Sequence, residues 1–524
     1  MQAKFRYRRI FAVISFKKHL YIENKKEKFL KNHDNYIKLI FGLKMKQLRQ
    51  ERNFSLVDLA EKCSLSVSYL NEIEKGKKYP KADKIAQLAQ ALGVSYDELV
   101  TLKLTKNLTP IAELIESNIL EMLPLDHYGI DLNKFISLMS GASYQLSALV
   151  TTVIEMARST ELSQNNFSRT ALRIFKEIND NYLADIELSV EKFIDDFHLT
   201  SAHPKNYEQL SQILIQYYNY KLDEKRFDNF EELGQLRGVL KPGKQPVLFL
   251  NPQLSNAQKL FIIGKELAYN YLNISKRSYI HSSLKLNTFD HLLNNHIAAY
   301  FATALILGKN QFITDINNFF SQEKWDDNFL VNLVTKNDTT PEMFFQRWAN
   351  LSGKEFGLKK YFFLRFNTIA ETDRYELTKE VRLNIKQNPG GYQTHEHNCR
   401  RWVSIEVLKN IKEELKGVNS HGKMKTGIIH SKFHETNDEY ISFSVAQQNI
   451  LDPNTFTSVT LGFYLDEQLK KKINFWNDPN IPFRIVNDTC EMCNIPDCKE
   501  RISEPTALRK IQRSLDIENA IKKL

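Results

Sequence analysis

The sequence predicts a mainly α N-terminal two-thirds followed by an α+β C-terminal domain. Three observations carry this reading. Apolar residues recur at helical spacing from residue 36 to beyond residue 300, with few strand-like runs. Pro242, Gly243 and Pro246 then punctuate the chain and flank a short apolar strand candidate, Val247–Leu250. After about residue 358 the texture changes: Tyr361–Phe366, Gly427–Ile429, Tyr440–Val445 and Ser458–Tyr464 read as strands around one helix, Ile405–Leu415. With 524 residues, the chain exceeds the ~100–200 residues usual for one domain, so several domains are expected.

In order, residues 1–35 are a basic extension with no function of its own, and 36–101 a compact all-α domain. Residues 102–240 form a helical linker or dimerisation region, and 241–357 a mainly helical domain. Residues 358–510 form the α+β, cysteine-containing domain, and 511–524 a tail. In the first domain Ile37, Ile40, Phe41 and Leu48 mark one helical face. Ser55 caps a second helix bearing Leu56, Leu59, Ala60 and Cys63, and Ser66 caps a third with Leu70 and Ile73 inward. Gly76 and Pro80 stop it, Ile85–Leu92 buries a fourth, and Ser95 with Glu98 opens a fifth. Further helices are expected at Ile111–Leu123, Leu132–Ala157, Phe167–Phe197, Tyr207–Tyr220, Ser255–Leu272 and Phe289–Leu307.

A hydrophobic fraction of 42% with 26% charged residues is globular and excludes a disordered or fibrous chain. No stretch approaches the ~18 apolar residues of a membrane span, and Ile10–Phe16 lacks a signal-peptide cleavage site. Five cysteines are too few for a disulfide scaffold, so a cytoplasmic, reduced protein is expected. The net charge of +10 is uneven: +7 lies in residues 1–35 and +3 in 36–101, leaving the remainder neutral. A basic end on a neutral body suits binding to double-stranded DNA.

Residues 55–76, SLVDLAEKCSLSVSYLNEIEKG, have the pattern of two helices joined by a tight turn at Cys63–Ser66. The second helix is then placed to read bases, with Ser66, Val67, Ser68, Tyr69 and Asn71 on its exposed face and Lys75, Lys77 and Lys78 toward phosphate. The segment 36–101 resembles the Cro/repressor (XRE) class of helix-turn-helix regulators, although Leu56 stands where that class often has a polar residue. Such domains bind as dimers, and the long helices of 102–240 are the expected homodimer interface.

The stretch VLFLNPQLSNAQKLFIIGKELAYNYL, Val247–Leu272, resembles the ImmA/IrrE-type metallopeptidases. Their HExxH motif needs two imidazoles at i and i+4 for zinc and a Glu as general base. Here Lys265 and Tyr269 hold the two ligand positions and only Glu266 remains. NNHIAAYFATALIL, Asn294–Leu307, resembles the helix of the third ligand, with Ile297 at the expected acidic position and His296 beside it. The implied fold is a degenerate metallopeptidase-like domain without catalytic residues, and Glu266 is expected to be solvated or structural. The rival reading, a metal-dependent peptidase that cleaves a repressor, lacks its zinc ligands.

Cys490-x2-Cys493-x4-Cys498 is the most specific chemical signal in the chain. Three thiolates from one loop leave a fourth ligand to find; Cys399, in HEHNCRRW, is the candidate, with His395 or His397 as substitutes. Arg400, Arg401, Lys499 and Arg501 would offset thiolate charge. Four cysteines suit an iron–sulfur cluster or, alternatively, a structural zinc. TCEMCNIPDCKERISEP, the Cys-x-x-Trp before it, MSGASYQLSALVTTVIEMAR and NYLADIE resemble the short-chain fatty acyl transcriptional regulator family over most of residues 36–505. That resemblance implies a transcriptional regulator rather than an enzyme, with an iron–sulfur centre and a small-molecule effector such as a short-chain acyl-CoA or a fatty-acid-derived ligand.

Overall fold

A computed structural model describes residues 37–101 except 39, and 164–199, 206–281, 289–385, 397–416 and 422–521. The chain divides into two compact units, Met1–Ser168 and Arg169–Leu524. The helices expected at Ile111–Leu123 and Leu132–Ala157, and with them part of the expected dimer interface, lie outside the described residues, as does His395.

In the first unit, α1 (40–51) is followed by α2 (Leu56–Cys63), α3 (Val67–Glu74), α4 (Ala82–Leu92) and α5 (Tyr96–Val100). Local chemistry sets these ends. Ser55 forms a capping box with Asp58, and Ser64 closes α2 in the left-handed conformation at φ 54°. Ser66 caps α3 and Ser95 caps α5 through their hydroxyls, and Gly93 ends α4 at φ 65°. Phe41, Met45, Leu59, Leu70, Ile73, Ile85, Leu88, Leu92 and Leu99 form one core. Gly42 permits its closest approach: a Cβ there would stand 2.1 Å from the Ile73 carbonyl oxygen, so only glycine lets α1 lie against the end of α3. Arg49 fixes the same junction by a two-pronged bond to Glu74, at 2.6 and 3.0 Å.

The second unit is α+β. The helix expected over Phe167–Phe197 is in fact two, α6 (Gln164–Ile178) and α7 (Ala184–Asp196), because Asp180 and Asn181 turn left-handed at φ 49° and 54° between them. Next come α8 (Tyr207–Gln216) and a four-stranded sheet of β1 (Lys221–Asp223), β2 (Gly238–Lys241), β3 (Val247–Leu250) and β4 (Ile280–His281), in the order β1-β3-β2-β4. Strands from both sides of residue 240 therefore share that sheet. Helices α9 (Asn256–Tyr271), α10 (Phe289–Ile306), α11 (Lys309–Phe320), α12 (Asp327–Lys336) and α13 (Pro341–Ser352) lead to a second sheet.

That sheet holds β5 (Tyr361–Ile369), β6 (Tyr375–Leu383), β7 (Met424–Phe433), β8 (Glu439–Gln448), β9 (Thr455–Tyr464) and β10 (Phe483–Val486), in the order β10-β7-β8-β9-β5-β6. All pairs are antiparallel except β10 with β7. Helix α14 (Val403–Glu414) precedes β7, α15 (Glu467–Lys472) precedes β10, and α16 (Thr506–Ile521) follows it. Period-two alternation sorts β8: Ile441, Phe443 and Val445 join the large core with Phe319 and Trp348, while Ser442 and Ser444 are buried on the opposite face. On that face the hydroxyls of Ser404 (α14) and Ser444 both meet Thr460 Oγ1, at 2.7 and 2.8 Å. Gly427 allows α14 to sit close, since a Cβ there would meet Val407 Cγ1 at 2.8 Å.

Candidate functional site

The α2–turn–α3 framework presents one short helix to solvent. Leu70 and Ile73 are fully buried and fix its rotation. Val67 and Ser68 are consequently exposed, Tyr69 and Asn71 partly so, and Lys75, Lys77 and Lys78 project from its C-terminal end. Ser66 is exposed, but its Oγ accepts from the Tyr69 amide at 3.2 Å, so its lone pair serves the helix terminus. Lys78 is paired with Glu72 at 2.6 Å and stands 5.8 Å from the Tyr69 ring centre. This pairing turns its ammonium toward the helix, whereas Lys75 and Lys77 have no ion pair among the described residues. Leu56 is half-buried and Val57 exposed, so the start of α2 presents aliphatic rather than polar side chains.

The family model for the helix-turn-helix matches residues 45–99. Control protein C.BamHI of Bacillus amyloliquefaciens is 37% identical over 67 residues, 13% of this chain and 83% of that protein. The uncharacterized HTH-type transcriptional regulator y4dJ of Sinorhizobium fredii is 36% identical over 62 residues, 12% of this chain and 80% of its own. The chain belongs to the helix-turn-helix family. The immunity repressor protein of Bacillus phage phi105 is 39% identical over 59 residues, 11% of this chain and 41% of that protein. A Mycobacterium tuberculosis transcriptional regulator of known structure aligns with 63% of this chain and 92% of its own, at 15% identity and a TM-score of 0.44, too loose a likeness to carry an argument. The helix-turn-helix domain thus makes this a DNA-binding transcriptional regulator, and no helix among the described residues is long and apolar enough to cross a membrane.

In the second unit, folding gathers the four cysteines singled out in the sequence. Cys399, Cys490, Cys493 and Cys498 line one small cavity of about 10 Å³, together with Arg400, Arg401, Thr489 and Arg501. Backbone pairing brings them together: Asn398 bridges Thr489, the Cys399 amide donates to the Asp488 carbonyl at 3.0 Å, and the Cys490 amide donates to the His397 carbonyl at 2.8 Å. Arg501 braces the loop by donating to the carbonyls of Cys490, Cys493 and Ile495. His397 is turned to Glu491, with Nδ1 at 2.7 Å from Oε1. Burial pushes the Cys399 thiol up to about 11, and the neighbouring Cys490 and Cys493 add to the shift. Among the described residues no three Cys, His, Asp or Glu side chains already stand in a metal-holding arrangement. A metal entering here must therefore displace thiol protons and draw the sulfurs inward.

The i, i+4 pair on α9 meets one residue of α10. Lys265 Nζ donates to Asn295 Oδ1 at 2.6 Å, and Tyr269 Oη lies 3.5 Å from the same oxygen. Asn295 of α10, rather than Ile297, faces the pair; Ile297 packs with Ala171, Phe289 and Leu293 instead. Glu266 is not solvated. It is fully buried and held by Arg277, by His281 Nε2 at 2.7 Å and by Tyr220 Oη at 3.1 Å. Burial pushes its carboxyl up, but His281 and Arg277 outweigh this and hold it down at about 2. Arg277 also stacks 3.9 Å over the Tyr269 ring. Sequence reasoning missed Arg277 and His281 because nothing local marks them; they reach Glu266 from the loop after α9 and from β4.

Proposed function

We propose that this chain is a cytoplasmic, dimeric, sequence-specific regulator whose second unit senses a metal centre, a small ligand, or both. The exposed start of α3, set on a helix-turn-helix domain shared with named regulators, supports the reading of sequence. Ser68 and Asn71 would bond base edges, Val67 and Tyr69 would add apolar contact, and Lys75 and Lys77 would meet phosphate. The observation that carries the sensing half is the common cavity of four thiols brought together from positions about ninety residues apart.

Cys399, Cys490, Cys493 and Cys498 fit a metal centre by their donor set, and Arg400, Arg401 and Arg501 would balance its negative charge. An iron–sulfur cluster follows from the family resemblance; a single zinc suits the small cavity. Either would clamp the segment before α14 to the loop after β10, bracing one end of the large sheet. The resemblance further supports a short-chain acyl-CoA or fatty-acid-derived effector, which shifts DNA affinity only through unequal affinity for two states. The α9–α10 junction reads as a metallopeptidase-like scaffold whose ligand positions are Lys265, Tyr269 and Asn295, which cannot activate water through a metal.

Metal analysis with absorption spectroscopy on the full chain tests the centre. We expect one iron–sulfur cluster or one zinc per chain, lost in Cys493→Ser, with proton release on reloading because the Cys399 thiol starts protonated. A wild-type chain that takes up neither metal, or a Cys493→Ser chain that keeps it, overturns the assignment.

A further inference from the structure

A second cavity, of about 90 Å³, lies in the second unit between α9, α13 and the sheet. Its wall carries Arg237, Glu342 and Arg365 among polar side chains such as Gln258, and an apolar part led by Phe261 and Met343 that makes up the larger share of the surface. The charges do not balance. Glu342 Oε1 already accepts from Gln346 at 2.9 Å and from Lys379 at 3.2 Å. Arg365 Nε stands 3.6 Å from Glu342 Oε2, beyond a hydrogen bond, and is buried without a hydrogen-bond partner. No hydrogen bond or ion pair reaches the Arg237 guanidinium among the described residues. Three cations, Arg237, Arg365 and Lys379, thus face one carboxylate, an excess of two positive charges.

The excess is built in, because the backbone fixes its carriers. The Arg237 amide donates to the His281 carbonyl at 3.2 Å, and its own carbonyl accepts from the Asn251 amide at 3.1 Å. Arg365 is set by β5, which pairs with β9 on one side and β6 on the other. Burial lowers the Arg237 pKa, with Glu342 opposing and Arg365 lowering it further. Glu342, pushed up by burial but pulled down to about 2 by Lys379, Arg365 and Arg237, stays ionised and cannot lend a proton.

We propose that this cavity is a binding site for a small dicarboxylate, clamped between Arg237 and Arg365. The proposal rests on the ligand-responsive reading above and narrows its ligand. Arg237 has no counter-ion among the described residues and Arg365 shares Glu342 with Lys379, so the excess of two positive charges calls for two carboxylates or one doubly charged anion, and planar guanidinium forks match carboxylates. Size limits the carbon skeleton: an engineered cavity of about 150 Å³ holds benzene, so a smaller one takes a chain of few carbons. The acyl end of a thioester is neutral and would leave Arg237 unpaired and the excess positive charge unbalanced, at a cost that disfavours it.

Calorimetric titration of the full chain with succinate, propionate, inorganic phosphate and a short-chain acyl-CoA tests this. Succinate should bind saturably and at least about tenfold more tightly than propionate, since propionate forgoes one charge-assisted pair. Arg237→Gln and Arg365→Gln should each weaken succinate about tenfold or more, whereas Arg365→Lys should lose less. Glu342→Gln should tighten it, an effect a purely structural role would not produce. Lys241→Gln, exposed at the far end of β2 from Arg237, should bind as wild type. Phosphate alone binding, the acyl-CoA alone binding, or no binding at all overturns the dicarboxylate site. Operator binding by the same preparation, with dicarboxylate binding absent, leaves the regulator standing while this site falls.

Discussion

The two units use polar residues in opposite ways. In the helix-turn-helix domain, the core is apolar and the groups proposed to read bases stand on one exposed helix, so each is set by local sequence. In the second unit, charged groups are taken into the interior and paired there: Glu187 with Arg347 and Tyr300, Glu266 with Arg277 and His281, and Glu342 with Lys379 and Arg365, which share its one negative charge. The contrast teaches where each unit is vulnerable. A surface reader can be altered with its fold intact, whereas an interior ion cluster makes fold and function fail together.

The largest effect should come from Glu187→Ala. Arg347 is 1% exposed and meets Glu187 at 2.5 and 3.0 Å, so the change leaves a buried guanidinium without a counter-charge, held among the described residues only by the Leu307 carbonyl, at a cost of ~3–5 kcal/mol. Denaturant unfolding followed by circular dichroism should show the second unit destabilised and the helix-turn-helix domain unaffected. Equal loss in both would erase the contrast. On the other side of it, replacing Ser68 and Asn71 with Ala should leave folding intact and relax sequence preference, at roughly 1–3 kcal/mol per good base contact. Gel-shift competition between operator and random DNA checks this; full discrimination in the double variant would mean that another surface reads the bases. Replacing Lys75 and Lys77 with Gln should instead flatten the salt dependence, by roughly 0.9 in slope for each phosphate no longer neutralised.

Acid should separate the units as well. Burial holds the His281 pKa below its ordinary 6.5 although Glu266 opposes this, and Glu266 is held well below 4.5. Both groups bind fewer protons folded than unfolded, so their stabilisation is present at neutral pH and lost on acidification. The His281 share fades from about 6.5 downward and the Glu266 share from about 4.5 toward 2. Melting temperatures of the second unit should fall over that range, and His281→Gln should flatten the upper part. A parallel response in wild type and variant would remove His281 from the explanation. The smallest effect belongs to Ser66→Ala: loss of the α3 cap should cost ~1 kcal/mol of domain stability with base preference unchanged.

The first domain was legible because its information is local. Ser55, Ser66 and Gly93 end helices through contacts within a few residues, and the spacing of Leu59, Leu70, Ile85 and Leu88 names the core directly. The strands at Tyr361–Phe366, Tyr440–Val445 and Ser458–Tyr464 were legible for the same reason, as runs of aromatic and β-branched residues. The break at Asp180–Asn181 was not, because helical periodicity continues across it and only the left-handed backbone shows the turn.

What the sequence determined alone was therefore the set of parts: a helix-turn-helix with one exposed helix, a cysteine-rich loop, and a helix whose i and i+4 positions carry lysine and tyrosine. What only the tertiary structure decided was which distant parts meet. Backbone pairing between Asn398 and Thr489 puts Cys399 in the cavity of the other three thiols. Helix packing, not the spacing along α10, selects Asn295 over Ile297 to face Lys265. Arg237 and Arg365 lie 128 positions apart and carry no motif, yet they share one cavity wall. Spacing along an element fixes a side chain's direction; partners that arrive from other elements are fixed by how the strands pair and the helices pack.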